Sequence, residues 1–342
     1  MYQGAMVLSN NVLQQGFLAV AHVTTPFFAT YEFNGITFTR LAIPAILPPG
    51  DGRCVNWSPN GNFFIVGSAV TPFMRVYGFS PVSKICTAVA NPATLPGGIV
   101  NDVAFHPTGN WYALGHLLAP FVSVYSFDGV NSVKLANPSV LPPAVVNKVA
   151  WSPDGNYLVV THDISPFVTI YSFNQLTGVL TKIADPAVLP AGIGRGVSFN
   201  AAGTALVVGH DTTPFFSVYT WNAGVATKTA NPAVLLPGPC THVEWASNKN
   251  RFVCGFSASP RCTLYDFNGT IAVRLNNIPL FPAAAVLGCT FSKEGNIVSI
   301  CHPGAPYMRH FAINGNSMPR IANPTSGLPS NTANGISWRP KL

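Results

Sequence analysis

One segment is written seven times along the 342 residues of this chain. In the middle of the sequence, VAWSPDGNYLVVTHDISPFVTIYSF and, after a short turn, KIADPAVLP run from Val149 to Pro190. The preceding copy, VAFHPTGNWYALGHLLAPFVSVYSF and then KLANPSVLP, runs from Val103 to Pro142. An anchor proline recurs at Pro26, Pro72, Pro120, Pro166, Pro214, Pro260 and Pro306, at intervals of 46, 48, 46, 48, 46 and 46 residues. A repeat of this length made of short, apolar, turn-bounded segments specifies a β-propeller, because no single unit can bury its own apolar faces.

Each unit divides into four strands. The first is V-x-W/F, as in Val55-Asn56-Trp57 and Val149-Ala150-Trp151. A turn of the Ser152–Gly155 type follows, then an apolar strand ending in Gly-His or Thr-His. The third strand, Phe121 to Phe127 and its cognates, is apolar at nearly every position, as expected of a strand covered on both faces. Its proline is expected at the strand's first residue, where a missing N–H does least harm. A Phe-Asn/Asp-Gly turn leads to a more polar outer strand, and a Pro-rich connection returns the chain to the next unit.

The first unit lacks its V-x-W strand, and the missing piece stands at the other end as Ile336-Ser337-Trp338. Trp338 is therefore expected to complete the first sheet and close the ring, which removes an inner sheet edge. The predicted fold is an all-β, seven-bladed propeller of four-stranded blades, one domain over 1–342. Its blades fall at 14–50 plus 333–340, then 52–97, 99–143, 146–190, 194–238, 240–282 and 286–329. Residues Met1 to Leu13 lie outside the repeat.

The segment Trp151 to Leu158 resembles the strand–turn–strand signature of WD-repeat propellers. The Trp-Asp dipeptide of that family is replaced here by Tyr-Ser-Phe, so its polar network is not carried over. The fuller pattern, SPDGxYLxVxHxxxPFxxxYxF with K-x-x-D/N-P-A-x-L-P, is similar to WD-like repeat proteins encoded by tailed phages and prophages. That resemblance implies a virion component, partnered by other structural proteins of an assembly or by a host-surface glycan.

Charged residues make up only 8% of the chain against roughly 25% in ordinary soluble domains, and the net charge is +7. A neutral, amide-rich surface suits either packing into an assembly or a monomer kept soluble by Asn, Thr and Ser. No apolar run is long enough for a membrane span. No secretory signal stands at Met1–Met6, so the chain is expected to be made in the cytoplasm, for a virion or for an intracellular scaffold. The dispersed charge argues against nucleic acid as partner. The seven cysteines show no metal-binding spacing, and no cofactor is implied.

Three residue series remain. His22, His116, His162, His210 and His302 end the second strand of five units. One ion needs ligands at about 2 Å, whereas equivalent positions on neighbouring blades stand on the order of 10 Å apart. The histidines are expected instead to hold the adjoining loops. A cation precedes the connection at Arg40, Lys134, Lys182, Lys228, Arg274 and Arg320, to attract an anionic partner or to protect edge strands. The third series opens the innermost strand: Arg53, Asn101, Asn147, Arg195, Thr241, Leu287 and Asn334. It belongs at the channel mouth, either as a binding site centred on Arg53, Asn101, Asn147, Arg195 and Asn334 or as a ring that merely hydrates the channel.

No catalytic motif is present. Asp102 and Glu244 are the carboxylates nearest the channel, but they belong to non-adjacent units, and the chain is expected not to be an enzyme. A non-enzymatic virion component is the leading expectation, with a WD-type scaffold binding a protein on the channel face as the alternative.

Overall fold

The computed structural model describes residues 13–275, 282, 284–315 and 317–340. Seven four-stranded antiparallel sheets make up the fold, with no helix among the described residues. Residues 1–12 and Pro279 lie outside the described residues.

The first sheet runs Ala333–Trp338, Gly16–His22, Phe28–Phe33, Phe38–Arg40 from channel to rim. Leu18 lies opposite Trp338 and Val20 opposite Ile336, so the last strand fills the predicted gap. It is fastened on both sides. The Trp338 indole N–H donates to Ser299 Oγ of the seventh blade at 3.0 Å, and Trp57 of the second donates to the Ser337 carbonyl at 3.1 Å. Just beyond it, Arg339 Nε donates to the Gly61 carbonyl at 2.6 Å, with its guanidinium 5.7 Å from the rings of both Phe17 and Phe79.

The core lies between blades rather than within them. Ile65, Met74 and Val76 of the second blade pack with Val103, Tyr112 and Leu114 of the third, and the same pairing recurs around the ring. This is why the two middle strands of each unit are apolar on both faces. The repeated tyrosine of the third strand adds a polar tie. Its ring is buried, while its hydroxyl donates to the preceding connection: Tyr31 to Gly327, Tyr77 to Ile46, Tyr125 to Thr94, Tyr171 to Val140 and Tyr265 to Val234, at 2.8–3.1 Å. The Tyr219 hydroxyl makes no such bond to its connection among the described residues, and the seventh blade has Phe311 at this position.

The anchor prolines differ from expectation. Each follows a cis peptide bond inside the turn, two residues before the strand begins. In the first blade the turn is closed by Phe27 N–H to the Thr24 carbonyl at 2.6 Å, the arrangement of a turn with cis-proline third. The next residue, Phe27, has φ 70°.

The histidines behave locally. His116 Nδ1 lies 2.7 Å from the Leu118 carbonyl and Nε2 3.0 Å from Ser123 Oγ; His162 repeats this with Ile164 and Thr169. His210 keeps the hydroxyl contact to Ser217, at 3.2 Å. His22 and His302 are buried against the backbone of the same turn, at Thr24 and Gly304, and burial lowers the pKa of each to about 4. The rim cations have a local role as well: Lys134, Lys182 and Lys228 each bond the Asn or Asp three residues on, at 2.5–2.9 Å, pinning the turn into the connection.

Candidate active site

The inner strand of six blades carries a register shift near its start, as between Val146 and Lys148 or between Cys240 and His242. In a regular strand successive side chains point to opposite faces. The bulge breaks that alternation, so two consecutive residues reach the channel. Each such blade therefore supplies a mouth residue, an upper channel residue directly after it, and a deeper one two positions further along.

All five residues expected at the mouth line one opening of about 220 Å³, together with Lys148 and Leu287. Most also clip neighbouring blades. Asn101 donates to the Val146 carbonyl at 3.1 Å, Asn147 to Gly194 at 2.9 Å and Asn334 to Gly52 at 2.9 Å; the Thr241 hydroxyl bonds the Val286 carbonyl. The two arginines interrupt this collar and differ from each other. Arg195 stands 3.4 Å from Asp163, which also accepts from Asn147 at 2.7 Å. Arg53 is exposed, with no hydrogen-bond or ion-pair partner among the described residues.

Below the mouth the channel widens to a cavity of about 410 Å³ lined by Asp102, Lys148, His242 and Glu244 among others. Lys148 Nζ is 3.0 Å from Asp102 Oδ1, and Asp102 Oδ2 accepts the Val149 N–H at 3.0 Å. The two side chains are 17% and 15% exposed, so the pair is largely desolvated. Burial pushes the Asp102 pKa up, against the pull of Lys148 and the backbone N–H. For Lys148 burial is the largest single influence and works to lower the pKa. The charge and hydrogen bond of Asp102, with smaller contributions from nearby thiols, together outweigh it, and the ammonium is held more firmly than in an ordinary lysine.

Glu244 sits one level deeper. Its Oε1 accepts the Phe291 N–H at 3.0 Å and the Thr290 hydroxyl at 2.9 Å; Oε2 has no protein hydrogen bond among the described residues. In other blades Asn56 and Ser198 fill the same inter-blade acceptor role, receiving the N–H of Phe105 and Trp245. A carboxylate at this position is an added charge in a place where a neutral group suffices. Burial raises its pKa to about 7, beyond what those hydrogen bonds and the Lys148 charge can offset. His242 is held neutral, first by burial and then by the charge of Lys148. Its Nδ1 lies 3.2 Å from Cys289 Sγ, whose pKa burial raises, so the pair holds a thiol and a neutral imidazole rather than a thiolate nucleophile.

Asp102 and Glu244 thus share one cavity although their blades are not adjacent, because every inner strand of a ring faces the same axis. Sequence reasoning missed Lys148 and His242. The available signal was a polar residue directly after the mouth position, at Asp102, Lys148 and His242, in strands otherwise apolar.

No family model and no curated protein matches the chain. Its fold is nevertheless that of solved seven-bladed propellers. A candidate 6-phosphogluconolactonase from Bacteroides uniformis aligns with a TM-score of 0.76 at 12% identity, covering 95% of this chain and 99% of that one. The periplasmic gluconolactonase PpgL of Pseudomonas aeruginosa aligns at 0.73 and 13%, over 95% and 99%. The propeller domain of Cps50 (Swd1) from Myceliophteria thermophila, a WD-like relative, aligns at 0.60 and 12%, over 84% and 90%. The expectation of a non-enzymatic virion component or scaffold is corrected by the first two. These whole-length structural relatives are named for lactone hydrolysis, and none of the three is a phage protein. The sequence argument failed physically where it treated separation between blades as separation in space.

Proposed function

We propose that this propeller is a hydrolase of sugar lactones, working in the channel beside Glu244 and Lys148. The observation that carries the reading is a half-buried, desolvated carboxyl group with a pKa of about 7 lining the same cavity as a firmly protonated lysine. A general acid–base group acts best when its pKa lies near the working pH. Ionised Glu244 takes a proton from water as the water oxygen bonds to the lactone carbonyl carbon. The Lys148 ammonium faces the resulting oxyanion, in a largely desolvated site where charge stabilisation is strongest. Collapse of the tetrahedral intermediate breaks the ring C–O bond, and the protonated Glu244 returns its proton to the departing alkoxide. Asp102 holds Lys148 in place, and neutral His242 is available to bond a substrate hydroxyl. The names of the structural relatives supply the substrate class.

The test is lactone opening followed with a pH indicator, on glucono-1,5-lactone and 6-phosphogluconolactone, with the spontaneous rate subtracted. Expected is an enzyme-dependent rate that rises with pH through about 7. Glu244→Gln is expected to lower it on the order of 100-fold or more, the typical contribution of general acid–base catalysis. No acceleration of either lactone, or a Glu244→Gln variant as active as the parent, refutes the reading.

A further inference from the structure

We infer that Arg53 is a specificity-determining residue that takes an anionic substituent at the far end of the substrate, so that the lactones this site prefers carry a phosphate or carboxylate away from the reacting carbonyl. The inference rests on the lactone-hydrolase reading and deepens it.

Three cations line the mouth opening: Arg53, Lys148 and Arg195. Two are neutralised by the protein, Lys148 by Asp102 at 3.0 Å and Arg195 by Asp163 at 3.4 Å. Arg53 alone among them has no counter-charge among the described residues. A guanidinium offers a planar fork of donors that matches carboxylate and phosphate oxygens. The mouth asparagines complete the subsite. Their amide N–H groups are committed to blade carbonyls at Asn101, Asn147 and Asn334, so each presents its carbonyl oxygen as an acceptor for hydroxyls. One unpaired cation amid amide acceptors fits a polyhydroxylated anion.

The vertical spacing says where that anion sits. Arg53 precedes Asn56 by three residues, and Asn56 holds the repeat position that Glu244 holds in its own blade. At roughly 3.3 Å per residue the two levels are about 10 Å apart along the strand, less the slack of the bulge. The charge recognised at the mouth is therefore not one beside the carbonyl but one at the opposite end of a six-carbon chain.

The experiment measures binding by calorimetry, independently of turnover, with open-chain products as probes: gluconate, 6-phosphogluconate and glucarate. Expected is at least a ten-fold preference of the parent protein for 6-phosphogluconate or glucarate over gluconate, with the two arms separating phosphate from carboxylate. Arg53→Gln is expected to bring that ratio close to one. Arg261→Gln, which removes a cation from a loop on the same face, is expected to leave the ratio within a factor of two. No preference in the parent protein, or a preference that survives Arg53→Gln or is lost equally in Arg261→Gln, overturns the inference. Absence of lactone turnover alongside an intact Arg53-dependent preference defeats the hydrolase reading and not the anion subsite.

Discussion

Glu244→Gln separates the chemistry of the channel from the stability of the ring, because the same substitution moves them in opposite directions. The carboxyl group keeps its proton in the folded protein up to about pH 7, against 4.5 for an ordinary glutamate. Between those values the folded state binds more protons than the unfolded one, so stability contributed by this group is present at low pH and falls as pH rises to about 7. A shift of this size corresponds to about 3 kcal/mol against folding at pH 8. Glutamine cannot ionise, and its amide oxygen can still accept the Phe291 N–H and the Thr290 hydroxyl that Oε1 accepts now. The variant is therefore expected to be more stable than the parent at pH 8. For a chain of this length, with an unfolding entropy of about 2 cal/mol/K per residue, about 3 kcal/mol raises Tm by about 4 °C. The advantage is expected to shrink by about 1.4 kcal/mol per pH unit below 7. Paired melting curves by scanning fluorimetry or calorimetry at pH 8, 7, 6 and 5 check this. A difference that does not change with pH, or a variant that melts lower than the parent at pH 8, refutes the claim that a charge is held at this position against desolvation.

Two further outcomes bear on the scaffold. Tyr125→Phe removes a hydroxyl bonded to the Thr94 carbonyl and is expected to cost about 1 kcal/mol, whereas Tyr219→Phe removes a hydroxyl with no bond to its connection among the described residues and is expected to cost less; equal losses in urea unfolding contradict the tie between strand and connection. Ending the chain at residue 332 strips the partner strand from Leu18 and Val20 and leaves the pocket of Trp338 empty, a loss larger than the roughly 3–5 kcal/mol of one buried tryptophan, so aggregation or a steep fall in Tm is expected. An unaltered melting curve is incompatible with the closing role of that strand.

The ring was legible because its cause is periodic. The recurrent V-x-W, the apolar third strand and the stray Ile336-Ser337-Trp338 together fix blade number, strand order and closure without any long-range information. The mouth residues were legible for the same reason, since Arg53, Asn101, Asn147, Arg195 and Asn334 occupy one position of the repeat. What failed was inference that depends on geometry within a strand. Lys148 and His242 stand two residues before Ala150 and Glu244, so alternation alone puts them on the channel face, while the shifted register between Val146 and Lys148, or between Cys240 and His242, adds Asn147 or Thr241 as a second channel residue beside each. The proline was misplaced because the sequence does not declare a cis bond. Glu244 was visible in V-E-W, but its meaning was not. A pKa near 7 arises from enclosure by six other blades, and no local pattern encodes that.

The shifted register has a consequence for how such a protein can change. Because two neighbouring residues of an inner strand face the axis while the flanking ones seal the blades, the lining can be rewritten without disturbing the walls. That freedom belongs to blades where a side chain already stands, as at Asp102, Lys148 and His242; at the equivalent Gly196 and Gly335 a Cβ would meet backbone of the next blade at 2.9 and 2.8 Å. A fold so regular outside can therefore carry very different chemistry inside.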